Sequence, residues 1–404
     1  MSTVYVSGPY TSGKLLRDIR AIEDWISDEL KYRGPVTDAA AQRDMARRVE
    51  EASFGRNAVL FDDQGYPSIM VRVPAMRLSD LVAGWPDDLH PAFVVNNSAK
   101  SEIWIGKYEA TVAGSGTTLR AFSLRRRDPS QAITFDDALL ACRQKGAGWH
   151  LMTNAEWAVL ALWCKSNGFW PRGNNNFGRD YDRQSESGEV ALRYGSEGAR
   201  YAGRVATGSG PVSWSHDGTP FGVYDLNGNL WDWVSGLRLN NGEINILPNN
   251  NAADSAKDQG AASAEWQAIM PPGTSGTLKF DSEHPLTDDA VAQLRGAPVL
   301  RTALLHPAPA TWGNNDYDYN SGPFAALTAD AGLAVPNLLR YLAIWPVDLN
   351  HGGDGCWTRN YGERIAIRGG SWGVGGSAGV FALNLHISRT ESHWSLGLRP
   401  AFVR

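Results

Sequence analysis

Cysteine is scarce. The chain of 404 residues holds three, Cys142, Cys164 and Cys356, too few and too scattered for a disulfide framework. No CxxC pair or clustered Cys/His spacing points to zinc, and no Ser/His/Asp or Cys/His signature is evident. Basic excess is missing as well. The formal net charge is −5 at pH 7, which counts against a nucleic-acid binder. The only tight basic run, Arg125-Arg126-Arg127, reads as a solvated loop. No stretch approaches the ~18 apolar residues of a membrane span, so no membrane insertion is expected. The opening MSTVYVSGPYTSGK lacks a charged segment followed by an apolar core, and no secretory signal is visible.

What is present is 16 Trp alongside 43 Gly. That pairing suits a loop-rich fold in which large rings pack beneath irregular backbone. The first unit, residues 1–98, reads as helices followed by a hairpin. Leu15, Ile19, Ile22, Trp25 and Ile26 fall at helical spacing, a second helix is expected after Thr37, and RNAVLFDDQGYPSIMVRVP reads as two strands about an Asp-Gln-Gly turn. The texture changes near Ser101. EIWIGKYEATV is a strand, and TFDDALLACRQKG is a helix with Thr134 as N-cap and Gly146 at its stop. LMTNAEWAVLALWCKSNG is a helix opened by the capping box Thr153-x-x-Glu156. Residues 248–345, rich in Ala, Pro, Asn and Asp, read as a long insertion with some helix.

Three motifs invite chemistry. Gly8 to Lys14 matches G-x-x-x-x-G-K, but Leu15 replaces the hydroxyl that would hold magnesium, and Asp62-Asp63 leads into a turn, so a glycine-rich helix start is the better reading. Asp316 to Gly322 alternates oxygen donors as a calcium loop does, yet its glycine is displaced and Leu327 stands where the bidentate Glu belongs, leaving a solvated loop. His386 and His393 lie seven apart in a stretch too rich in Gly, Ser and Pro for a helix, and read as surface histidines. No metal, cofactor or catalytic residue is expected.

The tail RGGSWGVGGSAGVFALNLHISRTESHWSLGLRPAF, Arg368 to Phe402, holds a strict frame around an arbitrary filling. GVFALNLHIS alternates, with Phe381, Leu383 and Leu385 on one face and Ala382, Asn384 and His386 on the other. Together LMTNAEWAVLA, FGVYDLNGNLWDW, RGGSW and LGLRPAF resemble the C-type-lectin-like fold of the formylglycine-generating-enzyme type, over roughly residues 101–404 without the insertion. With the first unit as read above, the resemblance implies an α+β protein: the small helix-plus-hairpin domain (1–98), then a lectin-like domain (99–404) with a long insertion (248–345). The oxidases of that fold need two cysteines just after the RGGSW-type strand. Here Gly373, Val374, Gly375 and Gly376 follow it, and no Cys occurs beyond Cys356. Related sulfoxide synthases need a His cluster on a helical domain, and the first unit has only His90. A sugar-binding lectin would need Glu-Pro-Asn or Gln-Pro-Asp, which is absent.

The tail more closely resembles the variable region of diversity-generating-retroelement variable proteins, a class that includes phage tropism determinants. That likeness implies a binding protein, not an enzyme, whose residues 368–402 carry rewritten ligand contacts. The expected contacts are Gly373, Val374, His386, Ile387, Thr390, Glu391, His393, Ser395 and Leu396, converging on one exposed patch. The expected partner is an unidentified protein or cell-surface ligand, with no nucleic acid, and the expected location is the cytoplasm or a phage particle. Within the class both trimers and monomers occur, so the oligomeric state is left open.

Overall fold

The computed structural model describes residues 13–194, 201–273, 275–285, 296–307 and 319–404. Helix α1 (Gly13–Arg33) buries Ile19 and Ile26 completely. Trp25, on the same expected apolar stripe, stays 37% exposed, with Arg48 of helix α2 (Ala39–Ser53) 5.5 Å from its ring. The cap of α2 is Asp38, whose carboxylate accepts from the Ala41 N–H at 2.9 Å. Strands β1 (Asn57–Phe61) and β2 (Pro67–Pro74) pair antiparallel as the expected hairpin.

That hairpin does not stand apart. Strand β2 pairs with Glu102–Gly106, which pairs with the C-terminal strand Pro400–Phe402, which pairs with Trp149–Leu151; all are antiparallel. One sheet therefore crosses the expected boundary at residues 98/99. The helices cross it too. Ile26, Leu30, Met45 and Val49 share a core with Tyr108, Phe122, Leu124, Val205, Trp214 and Tyr224. The physical reason is the hairpin's two-sided burial: a hairpin alone cannot cover strands as apolar as SIMVRV, so it joins a larger sheet.

A second sheet of eleven strands, counted among the described residues, forms the body. At its centre Gly379–Leu385, Glu363–Gly369 and Trp231–Asn240 lie side by side, and Leu396–Leu398 runs parallel to Trp231–Trp233. The helix Asn154–Ser166 covers one face and the helix Phe135–Arg143 serves the other. Thr153 and Glu156 form the expected capping box, and Thr134 accepts from the Asp137 N–H. The alternation in GVFALNL has a two-sided consequence. Phe381, Leu383 and Leu385 enter the core beneath Asn154–Ser166, while Ala382 enters the core with Trp231, Trp233 and Phe135.

The stretch 248–345 is less of an excursion than its composition implies. Its strands Lys279–Ser282, Pro298–Arg301 and Thr328–Ala329 extend the eleven-stranded sheet at one edge, and Asn320–Pro323 at the other. Phe280, Leu300, Phe324, Leu339 and Ile344 are fully buried in the main core. The phosphate-loop candidate lies outside the described residues up to Gly13, where α1 begins, and the calcium-loop candidate lies outside them through Asp318.

Candidate functional site

The frame of the tail is held by two buried arginines. Arg368 donates to Asn154 Oδ1 at 2.7 Å and to the Ala343 carbonyl at 3.0 Å, among the described residues no carboxylate pairs with it, and burial pushes its pKa down to about 9. Arg399 donates to Asp232 at 3.2 Å and to the carbonyls of Gly106 and Tyr224 at 3.0 Å each. Between them the backbone must cross close to other atoms. Gly370, at φ +92°, leaves no room for a side chain: a Cβ there would lie 2.5 Å from that of Ala378. Trp372 is 4% exposed and Trp231 is 7% exposed.

This frame presents two loops. The first is the turn Gly373–Ser377, in which Gly373 is exposed and Val374 half-buried. The second is Thr390–Ser395, in which Thr390 and His393 are exposed and Glu391 and Ser395 half-buried. Their bases meet where Trp394 packs edge-on against Trp372, ring centroids 5.1 Å apart. His393 Nδ1 lies 2.8 Å from Ser395 Oγ and accepts from the Ser395 N–H at 3.3 Å, and the His393 carbonyl accepts from the Ala132 N–H.

Three of the nine expected contacts are elsewhere. Ile387 (5% exposed) and Leu396 (3%) belong to the core with Trp231, Trp233 and Phe135. Leu396 is drawn in because it opens the strand that pairs with Trp231; Ile387 because its carbonyl accepts from Ile365. His386 is half-buried and stacks on Tyr319 at 4.5 Å, and burial, with Arg364 and Arg359 nearby, pushes its pKa down to about 3. It is a neutral packing residue rather than a surface histidine. The strand Gly379–Leu385 also separates the ends: seven residues at ~3.3 Å each put His386 and Ile387 roughly 20 Å from the Gly373 turn. The nine residues do not form one patch.

Two aromatic rings that no periodicity marks complete the surface. Phe177 (42% exposed) and Tyr181 (53% exposed) project from the loop NNNFGRDYDR. Its backbone is stitched to the first variable loop, with the Phe177 N–H donating to the Trp372 carbonyl at 2.7 Å and the Gly375 N–H to the Asn175 carbonyl at 2.8 Å. A Cβ on Gly373 would lie 3.7 Å from the Phe177 ring, and one on Gly376 would lie 3.4 Å from Tyr181. Phe177 adopts φ +52°, uncommon for a bulky residue and a pointer to a functional loop. In the sequence, an aromatic between a run of Asn and a Gly was the available signal.

The cysteines are remote from reactive chemistry. All three are buried and free, and burial raises the thiols of Cys142 and Cys356 to about 12 and that of Cys164 well above its ordinary value. Among the described residues no group of three or more His, Cys, Asp or Glu is placed to hold a metal ion. Among them, too, no helix is long and apolar enough to cross a membrane.

Residues 84–261 match the family described as the sulfatase-modifying factor enzyme 1-like domain. Two solved structures are similar in outline: "Major Tropism Determinant U1 Variant", 10% identical with a TM-score of 0.27, and "Major Tropism Determinant P3c Variant", 10% identical with a TM-score of 0.28. Each comparison covers 84% of this chain and 65% of that chain. No curated protein matches the sequence. The family match, the helices flanking one large sheet and the buried glycine–tryptophan frame agree: the protein is α+β and has the C-type-lectin-like fold of the formylglycine-generating-enzyme type.

Proposed function

We propose that the chain is a ligand- or receptor-binding protein of the retroelement variable-protein type, whose C-terminal lectin-like surface displays diversified residues. One observation carries this reading: the exposed loops Gly373–Ser377 and Thr390–Ser395 meet at the Trp372–Trp394 contact above a fully buried frame. Such loops can change without disturbing the core, and a preformed site avoids the ordering cost of a flexible one. The contacts are Gly373, Val374, Thr390, Glu391, His393 and Ser395, bordered by Phe177, Tyr181 and Trp394. Exposed aromatic anchors amid adaptable polar groups suit a protein or cell-surface partner. The role is binding rather than oxidation. Attack on a substrate needs a thiolate, and each thiol here is buried with a raised pKa.

The test is the DNA beside the gene. A near-copy of the codons for Gly369 to Phe402, differing only where the copy has adenine and adjoining a reverse-transcriptase gene, is expected. A gene with no such copy, together with conversion of a Cys-containing sulfatase-type peptide to an aldehyde by the purified protein, would overturn the reading.

A further inference from the structure

Seven glycines lie between Arg368 and Phe402, and they are not alike. Five are closed to a side chain. Gly369, Gly370, Gly375 and Gly379 hold φ of +92°, +92°, +70° and +154°, and a Cβ on Gly379 would also lie 2.2 Å from Asp354. Gly397 has an ordinary φ, yet a Cβ there would lie 2.7 Å from the buried Leu230. Gly373 and Gly376 differ on both counts. Neither has a positive φ. Beyond its chain neighbours, and among the described residues, a Cβ on Gly373 would meet the Phe177 ring alone, at 3.7 Å, and one on Gly376 the Tyr181 ring alone, at 3.4 Å. The loop carrying those rings is pinned by two buried asparagines. Asn174 Oδ1 accepts from the Gly178 N–H at 2.7 Å while its amide donates to the Gly203 carbonyl at 2.9 Å. Asn175 Oδ1 accepts from the Tyr181 N–H at 2.7 Å while its amide donates to Asn227 at 3.0 Å.

We infer that Phe177 and Tyr181 are positioning residues, a fixed aromatic rest for the rewritten side chains: a residue written at Gly373 lies on the Phe177 ring and one written at Gly376 on the Tyr181 ring. Gly376 thereby joins the diversified positions, whereas Gly375 and Gly379 belong to the frame. The inference rests on the retroelement reading of the tail. Its physical ground is the cost of ordering. A side chain on an exposed turn rotates freely, and a partner that immobilises it must offset the lost entropy. A ring in contact with the Cβ restricts those rotamers before any partner arrives. An aromatic face also suits a position whose occupant changes. Aliphatic stems, the methionine thioether, other rings and the cations of Lys and Arg all gain by lying on it. A charged support would favour only a few of them. With glycine at both places the rests stand open, and the two rings are 42% and 53% exposed.

The experiment places methionine at each glycine of the turn in the full chain, as Gly373→Met, Gly375→Met and Gly376→Met, with carbon-13 in the methionine methyl groups. The chain has six methionines of its own, so each variant shows one added methyl signal. Gly373→Met and Gly376→Met should melt within about 2 °C of the parent, and Gly375→Met about 3 °C or more below it. The added methyl of Gly373→Met should lie upfield of an exposed methionine through the ring current of Phe177. That displacement should vanish in combination with Phe177→Asn, which tolerates the left-handed φ, and persist with Tyr181→Ala. For Gly376→Met the dependence should be the reverse. A methyl at the exposed position, a displacement that survives removal of its own ring, or a Gly376→Met protein that melts as low as Gly375→Met overturns the inference. If a ring variant does not fold, nuclear Overhauser contacts between methyl and ring in the single variants decide in the same way. The outcome is separable from the wider reading. A retroelement copy with unordered methyls removes only the aromatic rest, and ordered methyls without the copy remove only the diversified surface.

Discussion

Lys107 Nζ lies 2.6 Å from Glu23 Oε1, and neither side chain reaches solvent. The pair joins α1 to the lectin-like body. Tyr108 Oη also donates to Glu23, at 2.7 Å, and Lys107 donates to Asn57 at 2.9 Å. Around it Arg20 donates to the Gly210 carbonyl, Arg127 to that of Ser27, and Arg125 pairs with Asp24. A buried pair is weak evidence for net stability, yet removing one partner strands the other charge. Glu23→Ala is expected to cost about 3–5 kcal/mol in urea unfolding and to expose α1 to limited proteolysis. A loss under about 1 kcal/mol would mean that α1 is docked by its apolar face alone.

The corrected placement of the variable residues makes a sharper forecast. Substituting Gly373, Thr390 and His393 together should change stability by no more than about 1.5 kcal/mol, since exposed positions usually contribute within about 0.5 each. Ile387→Ala and Leu396→Ala should each cost about 2–5 kcal/mol, and Trp372→Ala about 3–5. Thermal melts of the four proteins give the comparison. A triple variant that melts with the tryptophan variant would put those loops in the core.

Much of this was legible beforehand. The capping box at Thr153 and the cap at Thr134 are local chemistry and appear as read. So are the two faces of GVFALNL and the burial of Trp231 and Trp372. What was not legible depends on distant pairing. Leu396 is buried because it pairs with Trp231, and the N-terminal hairpin is absorbed because Glu102–Gly106 also pairs with the C-terminal strand. Neither partner can be found by periodicity. His386 looked exposed because its cover, Tyr319, comes from a stretch that reads as an excursion. Phe177 and Tyr181 escaped because isolated aromatics in a polar loop have no period.

A buried acid cluster beneath the frame should leave a pH signature. Glu109, Asp225 and Asp232 gather about Arg399; among the described residues, Asp225 and Asp232 each keep one oxygen without a hydrogen-bond partner. Burial raises the pKa of all three, that of Asp225 to about 6 from 3.8. A raised carboxyl binds its proton more tightly in the folded state. Its stabilising contribution is full below pH 3.8 and is lost as pH rises to about 6. Asp225→Asn removes the titration, so the variant should gain on the parent between pH 4 and 6 and then hold level. Urea midpoints for both proteins at half-unit pH steps give the difference curve; parallel curves would show that Asp225 does not titrate there.

Phe177 offers a last separation of fold from function. Its φ of +52° is a left-handed conformation that costs a non-glycine residue about 1–2 kcal/mol. Against that stands the burial of part of a ring that remains 42% exposed, about half of the 1.5–3 kcal/mol that full burial brings. The two nearly cancel. Phe177→Gly relieves the backbone and loses the ring, so its stability should lie within about 1 kcal/mol of the parent, whereas a core phenylalanine would cost about 3–5. A residue that contributes so little to folding while holding an unfavourable backbone supports the proposal that its ring serves the binding surface. The measurement is a thermal melt of Phe177→Gly alongside Phe381→Ala, which is wholly buried. If both lose stability equally, Phe177 is part of the fold, and the surface loses one of its three aromatic anchors.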